Sequence, residues 1–211
     1  PSTVKLVITY HMQATAGGLK GLLFKAGLAF TNHRLARRAD VLTASTQDYI
    51  NTVALSAMGG VGKWQVVPFA VEDEFTPGLV PKYLTEKLSV PSHTPMILFV
   101  GSMDTAHAFK GVSILLLALK KIQDKSWQVV VVGDGNMCVE YQAQVEHLGL
   151  SSRVHFVGFV PQKDLVNYYR SANIFVLPST SQAEAFGLVA LQAMACGVPV
   201  VASRLPGVQE F

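Results

Sequence analysis

The chain has 211 residues, of which 50% are hydrophobic and only 15% charged. That composition excludes a disordered chain and leaves room for one large domain or two small ones. A net charge of +3 is too small to argue for a nucleic-acid partner.

From the front, KLVITYH (5–11) reads as a strand ending at His11. Residues 17–39 form an amphipathic helical stretch interrupted by glycines. Residues 1–40 hold six basic residues against one acid. That excess suits either a solvated helix face or peripheral contact with an acidic surface such as anionic lipid. ADVLTAS (39–45) and KWQVV are further strands, and PFAVEDEFTPG is a turn. The Pro-, Ser- and Thr-rich segment 78–94 reads as a linker between a domain over 1–77 and another over 95–211.

Beyond the linker the alternation is regular. MILFV (96–100), WQVVVV (127–132), VHFVGF (154–159), IFVLPS (174–179) and the run at 199–202 are short apolar strands. Helical periods separate them at 111–122, 137–148, 162–172 and 187–196. Continuous apolar strands alternating with helices predict an α/β fold, a parallel sheet with helices on both faces. Ligands of such sheets bind beyond the carboxyl ends of the strands.

Ala185 to Ser203 is uncharged over nineteen residues, but Gly197 and Pro199 break it. The remaining helical piece is about half the length a membrane span needs. Cys138 and Cys196 lie in apolar segments with no C-x-x-C pairing, which favours buried thiols in a reducing compartment.

Three stretches carry chemistry. Lys110 and Gly111 stand where an apolar helix begins after a strand, and free amides plus a cation there suit an anion such as phosphate. VVGDGN lacks the third glycine of a dinucleotide fingerprint, so a plain strand-to-helix turn is the better reading. Glu184 precedes Phe186, Gly187 and Leu188 at another helix start, with Gln192 one turn further in. The carboxylate either caps the helix or accepts from sugar hydroxyls, and the Gln192 amide either lies on a helix surface or meets ribose hydroxyls.

In order along the chain, VITYH, RRADVLTAS, VVPFAVEDEFTPG, FVGSMD…KG, VVGDG, GFVP, SANIFVLPS and EAFGLVALQAMACGVPVVAS resemble the retaining glycosyltransferases of family 4. The resemblance implies a GT-B-like fold of two Rossmann-like domains, with a partial N-terminal domain and a largely present C-terminal donor domain. It implies transfer of a hexose from a nucleotide diphosphosugar to a hydroxyl of a glycan or lipid-linked glycan, with retained configuration. It also implies no cofactor and no metal, a place in polysaccharide biosynthesis, and work in the cytoplasm or at the inner face of the membrane.

Residue by residue, it implies that Lys110 neutralises the diphosphate and that Glu184 accepts from the donor sugar. The amides of Phe186, Gly187 and Leu188 would surround sugar and phosphate. His11 would face the reacting centre from the other domain, and Val160 would lie near the base. Three positions depart from the family pattern. Gln192 stands where the signature has a second Glu. Ser102 stands where an arginine is usual, with His107 a partial replacement. Ala70 stands where the crossover has glycine. The alternative is an inactive, degenerate nucleotide-binding module. Pro1 is not an initiator Met and LPGVQE opens a loop the family continues, so the expectation is an internal piece of a longer transferase.

Overall fold

The structure, a computed structural model, describes residues 4–11, 18–52, 62–81, 84, 86, 88, 90, 91 and 93–210. The chain forms two compact units. One comprises Pro1–Ala70, Ser181–Phe186 and Arg204–Phe211, and the other Val71–Thr180 and Gly187–Ser203.

The first unit holds a three-stranded parallel sheet in the order β1-β2-β3, from β1 (Val7–Thr9), β2 (Val41–Ala44) and β3 (Trp64–Val66). Helix α1 (Gly18–Arg38) crosses from β1 to β2 without a break, so its glycines do not interrupt it. Its last turn carries Arg37 and Arg38, and the Lys63 ammonium donates to the carbonyls of Ala36, Arg37 and Ala39 at 2.9 to 3.4 Å. Cations at a helix C-terminus satisfy its free carbonyls and oppose its dipole. Helix α2 (Gln47–Ile50) is capped by Thr46, whose hydroxyl accepts from the Tyr49 amide at 3.1 Å. The Glu210 carboxylate also accepts from the amides of Gln47 and Asp48. Ala36, Ala39, Leu42, Ala44, Tyr49, Ile50 and Ala185 make the buried core of this unit.

The second unit is a five-stranded parallel sheet in the order β6-β5-β4-β7-β8. Its strands are β4 (Met96–Val100), β5 (Gln128–Val132), β6 (Val154–Gly158), β7 (Ile174–Leu177) and β8 (Val200–Ala202). Its helices are α3 (Val112–Lys121), α4 (Cys138–His147), α5 (Gln162–Ser171) and α6 (Leu188–Ala195). The apolar runs of the central strands β4 and β5 are buried on both faces, as expected for a parallel sheet, while the edge strand β8 is largely exposed. Phe99, Val129 and Val131 pack with Leu115, Leu116, Leu119, Tyr141 and Val145 of α3 and α4. Their neighbours Leu98 and Val130 point to the other face by strand alternation and are equally inaccessible. On that face Tyr169 of α5 lies 5.7 Å from Phe175 of β7, ring to ring. Each fully buried Leu, Val or Phe contributes roughly 1.5–3 kcal/mol. The run from Ala185 to Ser203 resolves into a loop end, α6, a turn and β8. Among the described residues no helix is long and apolar enough to cross a membrane.

The sheet order reverses between β4 and β7, and there the chain needs glycine. Gly111 has φ of 78°, and a Cβ added to it would stand 2.0 Å from the Pro178 carbonyl oxygen. Gly111→Ala is expected to lower stability by about 1–3 kcal/mol from the backbone strain alone. Thermal unfolding checks this, and an unchanged melting temperature would contradict the close approach.

Candidate functional site

Where the strand order of a doubly wound sheet reverses, the crossovers on either side leave to opposite faces. A crevice opens beyond the carboxyl ends of the two central strands. In the second unit those strands are β4 and β7. The loop after β4 is locked on both flanks. Toward β7, the Thr180 amide donates to the Phe109 carbonyl at 2.8 Å. Toward β5, the Met103 amide donates to the Asp134 carbonyl at 2.8 Å, and the Asn136 side-chain oxygen accepts from the Thr105 amide at 2.9 Å. A Cβ on Gly133 would stand 1.9 Å from the Gly101 carbonyl oxygen. Gly133 of VVGDG thus serves the contact between two loops.

Within that clamped loop, residues Thr105–Lys110 form a 3₁₀ helix that ends on Gly111, immediately before α3. Asp104 is its N-cap. Its carboxylate accepts from the His107 amide at 3.1 Å and lies 2.8 Å from His107 Nδ1. The His107 side chain holds the Asp104 carboxyl below the usual carboxylate range, although the group is open to solvent. A 3₁₀ helix has 3.0 residues per turn, so Asp104, His107 and Lys110 share one edge. Phe109 abuts both side chains: its ring centroid is 5.8 Å from that of His107 and 5.6 Å from the Lys110 ammonium. With Nδ1–H given to Asp104, the neutral imidazole presents Nε2 as an acceptor, and only the imidazolium presents a donor there.

The other expected residues of the second unit lie on neighbouring loops and helices. Ser102 is exposed on the loop after β4, and Val160 is half-buried after β6, beside the 76%-exposed Phe159. Gly187, in the left-handed conformation, caps α6, and Leu188 opens it. Gln192 lies one turn in and is buried, not on a helix surface. Its Oε1 accepts from the Tyr169 hydroxyl at 3.0 Å.

Three expected residues belong to the first unit. Glu184 is buried at 6% exposure, in a turn closed by its amide donating to the Ser181 carbonyl at 3.1 Å. The following Ala185 carbonyl accepts from the Ser45 hydroxyl at 3.4 Å. Phe186 is buried with its ring 5.1 Å from that of Phe69, edge to face. Phe69 in turn stacks on the exposed His11 at 5.7 Å. His11 and Phe186, 175 positions apart in the chain, are therefore joined through an aromatic from the crossover. Sequence reading passes over Phe69 and Asp104. Asp104 had a signal in its spacing of three from His107, and Phe69 had none.

The family model for "Glycosyl transferases group 1" matches residues 83–211. The D-inositol 3-phosphate glycosyltransferase of Corynebacterium jeikeium is 34% identical over 186 residues, covering 82% of this chain and 43% of that protein. The chain thus spans less than half the length of the curated relatives it matches. Among solved structures, sucrose-phosphate synthase of Thermosynechococcus elongatus superposes with a TM-score of 0.75 at 25% identity, over 96% of this chain and 51% of that one. HepE of Anabaena, solved in complex with UDP and glucose, superposes with a TM-score of 0.77 at 24% identity, over 96% and 54%. The first three matches carry the family and the last carries the fold: the chain belongs to the group 1 glycosyl transferases, with the parallel-sheet α/β architecture of GT-B enzymes.

Proposed function

We propose that the protein transfers a sugar, a hexose by its resemblance to family 4, from a nucleotide diphosphosugar to a hydroxyl of a glycan or lipid-linked glycan. The configuration at the anomeric carbon is retained. The observation that carries this reading is the edge Asp104–His107–Lys110, set at the switch point of the sheet directly before the N-terminus of α3. A diphosphate leaving group gains negative charge in the transition state. A preorganised cation beside free helix amides stabilises that gain more than it stabilises the ground state. Lys110 takes this role. Protonated His107, steered by Asp104, supplies the second donor where Ser102 stands in place of an arginine. HepE, with the same fold and captured with UDP, supports a nucleotide as ligand.

The remaining roles follow the signature. Glu184 accepts from hydroxyls of the donor sugar, and the amides of Phe186, Gly187 and Leu188 bind around sugar and phosphate. Gln192 meets the ribose, Val160 the base, and His11 belongs to the reacting centre. No side chain is assigned as a nucleophile. The leaving phosphate accepts the proton of the acceptor hydroxyl on the same face of the sugar. The reaction uses no cofactor or metal in this reading, and its place is the cytoplasm or the inner face of a membrane. The basic helix α1 would supply the peripheral contact there.

In the full-length protein, Lys110→Ala and Glu184→Ala are each expected to lower transfer by about 10²–10³-fold or more. Undiminished turnover in both would overturn the reading. Calorimetry with UDP, GDP and ADP beside a donor-turnover assay separates an enzyme from an inactive module, which would bind nucleotide without turnover. Asp104→Asn removes the charge that steers His107 while leaving Lys110 in place. Its nucleotide affinity is expected to fall by about 3- to 10-fold, the cost of one misoriented charge-assisted hydrogen bond. The same calorimetry checks it.

A further inference from the structure

Gln192 is the position where the chain departs from its signature, and its surroundings give that departure a physical reason. Besides accepting from Tyr169, it donates from Nε2 to Glu72 Oε2 at 3.4 Å, a long contact. Tyr169 is wholly buried, with its ring at 5.7 Å from both Phe75 and Phe175, so its hydroxyl has little freedom to turn elsewhere. Burial pushes its phenol up, so it stays protonated and able to donate. Glu72 is exposed at the start of the second unit. Its own backbone amide first, then the side chains of Gln162 and Gln192, hold its carboxyl below the usual range. Titratable or charged groups nearby include Cys196, whose thiol burial pushes up, and Arg170, whose guanidinium donates to the carbonyls of Glu74 and Thr76. Asp73, Glu74 and Lys163 are close in the chain to Glu72 and its partner Gln162.

An ionised carboxylate only accepts hydrogen bonds. Glu72 therefore requires the nitrogen end of the Gln192 amide, and the oxygen end is left to meet Tyr169. The amide cannot flip without setting oxygen against carboxylate. One N–H and one lone pair of Gln192 then remain for a ligand, in a known orientation. A second carboxylate at 192 would stand at the same 3.4 Å from that of Glu72, where two like charges cannot both ionise at ordinary cost.

We propose that Glu72 and Gln192 form one acid–amide pair whose single carboxylate sits at 72, making Glu72 a positioning residue for ligand hydroxyls that bind at Gln192. This rests on the nucleotide-sugar reading of the second unit. Above the ordinary carboxylate range the pair is intact. It is lost as pH falls through the lowered titration of Glu72, when the protonated group no longer selects the amide nitrogen.

The test is a double-mutant cycle in the full-length protein: Glu72→Gln, Gln192→Glu and both together. UDP affinity is measured by calorimetry, with GDP and ADP beside it, and stability by thermal melts. Each single change is expected to weaken nucleotide binding about 10-fold, and the exchanged pair to return to within about 3-fold of the original. Gln192→Glu alone should bind better in mild acid, because two coupled carboxylates share a proton there, and the exchanged pair should lack that response. Single effects that simply multiply in the double variant would overturn the pair. So would coupling seen in the melts but absent from nucleotide affinity, which would make the contact structural only. An original protein that binds none of the three nucleotides would instead remove the nucleotide-sugar reading, and this inference with it.

Discussion

The candidate donor site depends on backbone approaching backbone at the carboxyl edge of the second sheet. Gly133 meets the Gly101 carbonyl, Gly111 meets the Pro178 carbonyl, and a side chain at either place would overlap the facing oxygen. Those two approaches hold the loop after β4 between its neighbours on both sides. The 3₁₀ helix inside that loop is consequently anchored at both ends, and the side chains along its edge inherit a fixed direction. Precise placement of charge relative to a developing anion is what electrostatic catalysis requires, and in the proposed reaction that placement would begin with two residues that have no side chain.

Helix ends in the first unit are satisfied from far along the chain. Lys63 closes the C-terminus of α1, and Glu210 reaches the first amides of α2 from 163 and 162 residues away. Both are opposite charges laid against a helix dipole, and neither belongs to the helix it serves. The short stretch around Glu184 is fastened in the same unit by Ser45 and by the ring series His11–Phe69–Phe186. These fastenings are polar and aromatic, whereas β4, β5 and β7 are held by a buried core that mixes aliphatic side chains with the rings of Phe99, Tyr141, Tyr169 and Phe175.

How much of this was legible in the sequence depended on what each feature rests on. The five strands of the second sheet were legible as short apolar runs, and their observed bounds fall within one or two residues of the runs. Burial on both faces accounts for the central β4 and β5, whereas the edge strand β8 keeps its apolar run with Val201 54% exposed. The helices between them were legible by period. The 3₁₀ helix was not, since TAHAFK has no apolar repeat and its geometry is imposed by the flanking loops. In the first unit the strand expected over residues 5–11 shrinks to Val7–Thr9, the three residues in register with Val41–Thr43 of β2. Lys110, Glu184 and Gln192 were legible as polar residues set in or before apolar helical segments. The partners that orient them could not. Glu72 lies 120 residues from Gln192, and a hydrogen bond of that span leaves no mark on local composition. Asp104 was within reach, because its three-residue spacing from His107 is local.

The spacing of Asp104, His107 and Lys110 also bears on which changes this segment can absorb. Three residues per turn means that one residue inserted or deleted between 104 and 110 would rotate Lys110 by about 120° about the helix axis. The ammonium would then leave the edge it shares with His107, even if every side chain were kept. Replacements at Thr105, Ala106 or Ala108 leave that rotation untouched, for these residues lie off the edge. Natural variation in this loop is therefore expected as substitutions at constant length, with the number of residues guarded more closely than most of their identities.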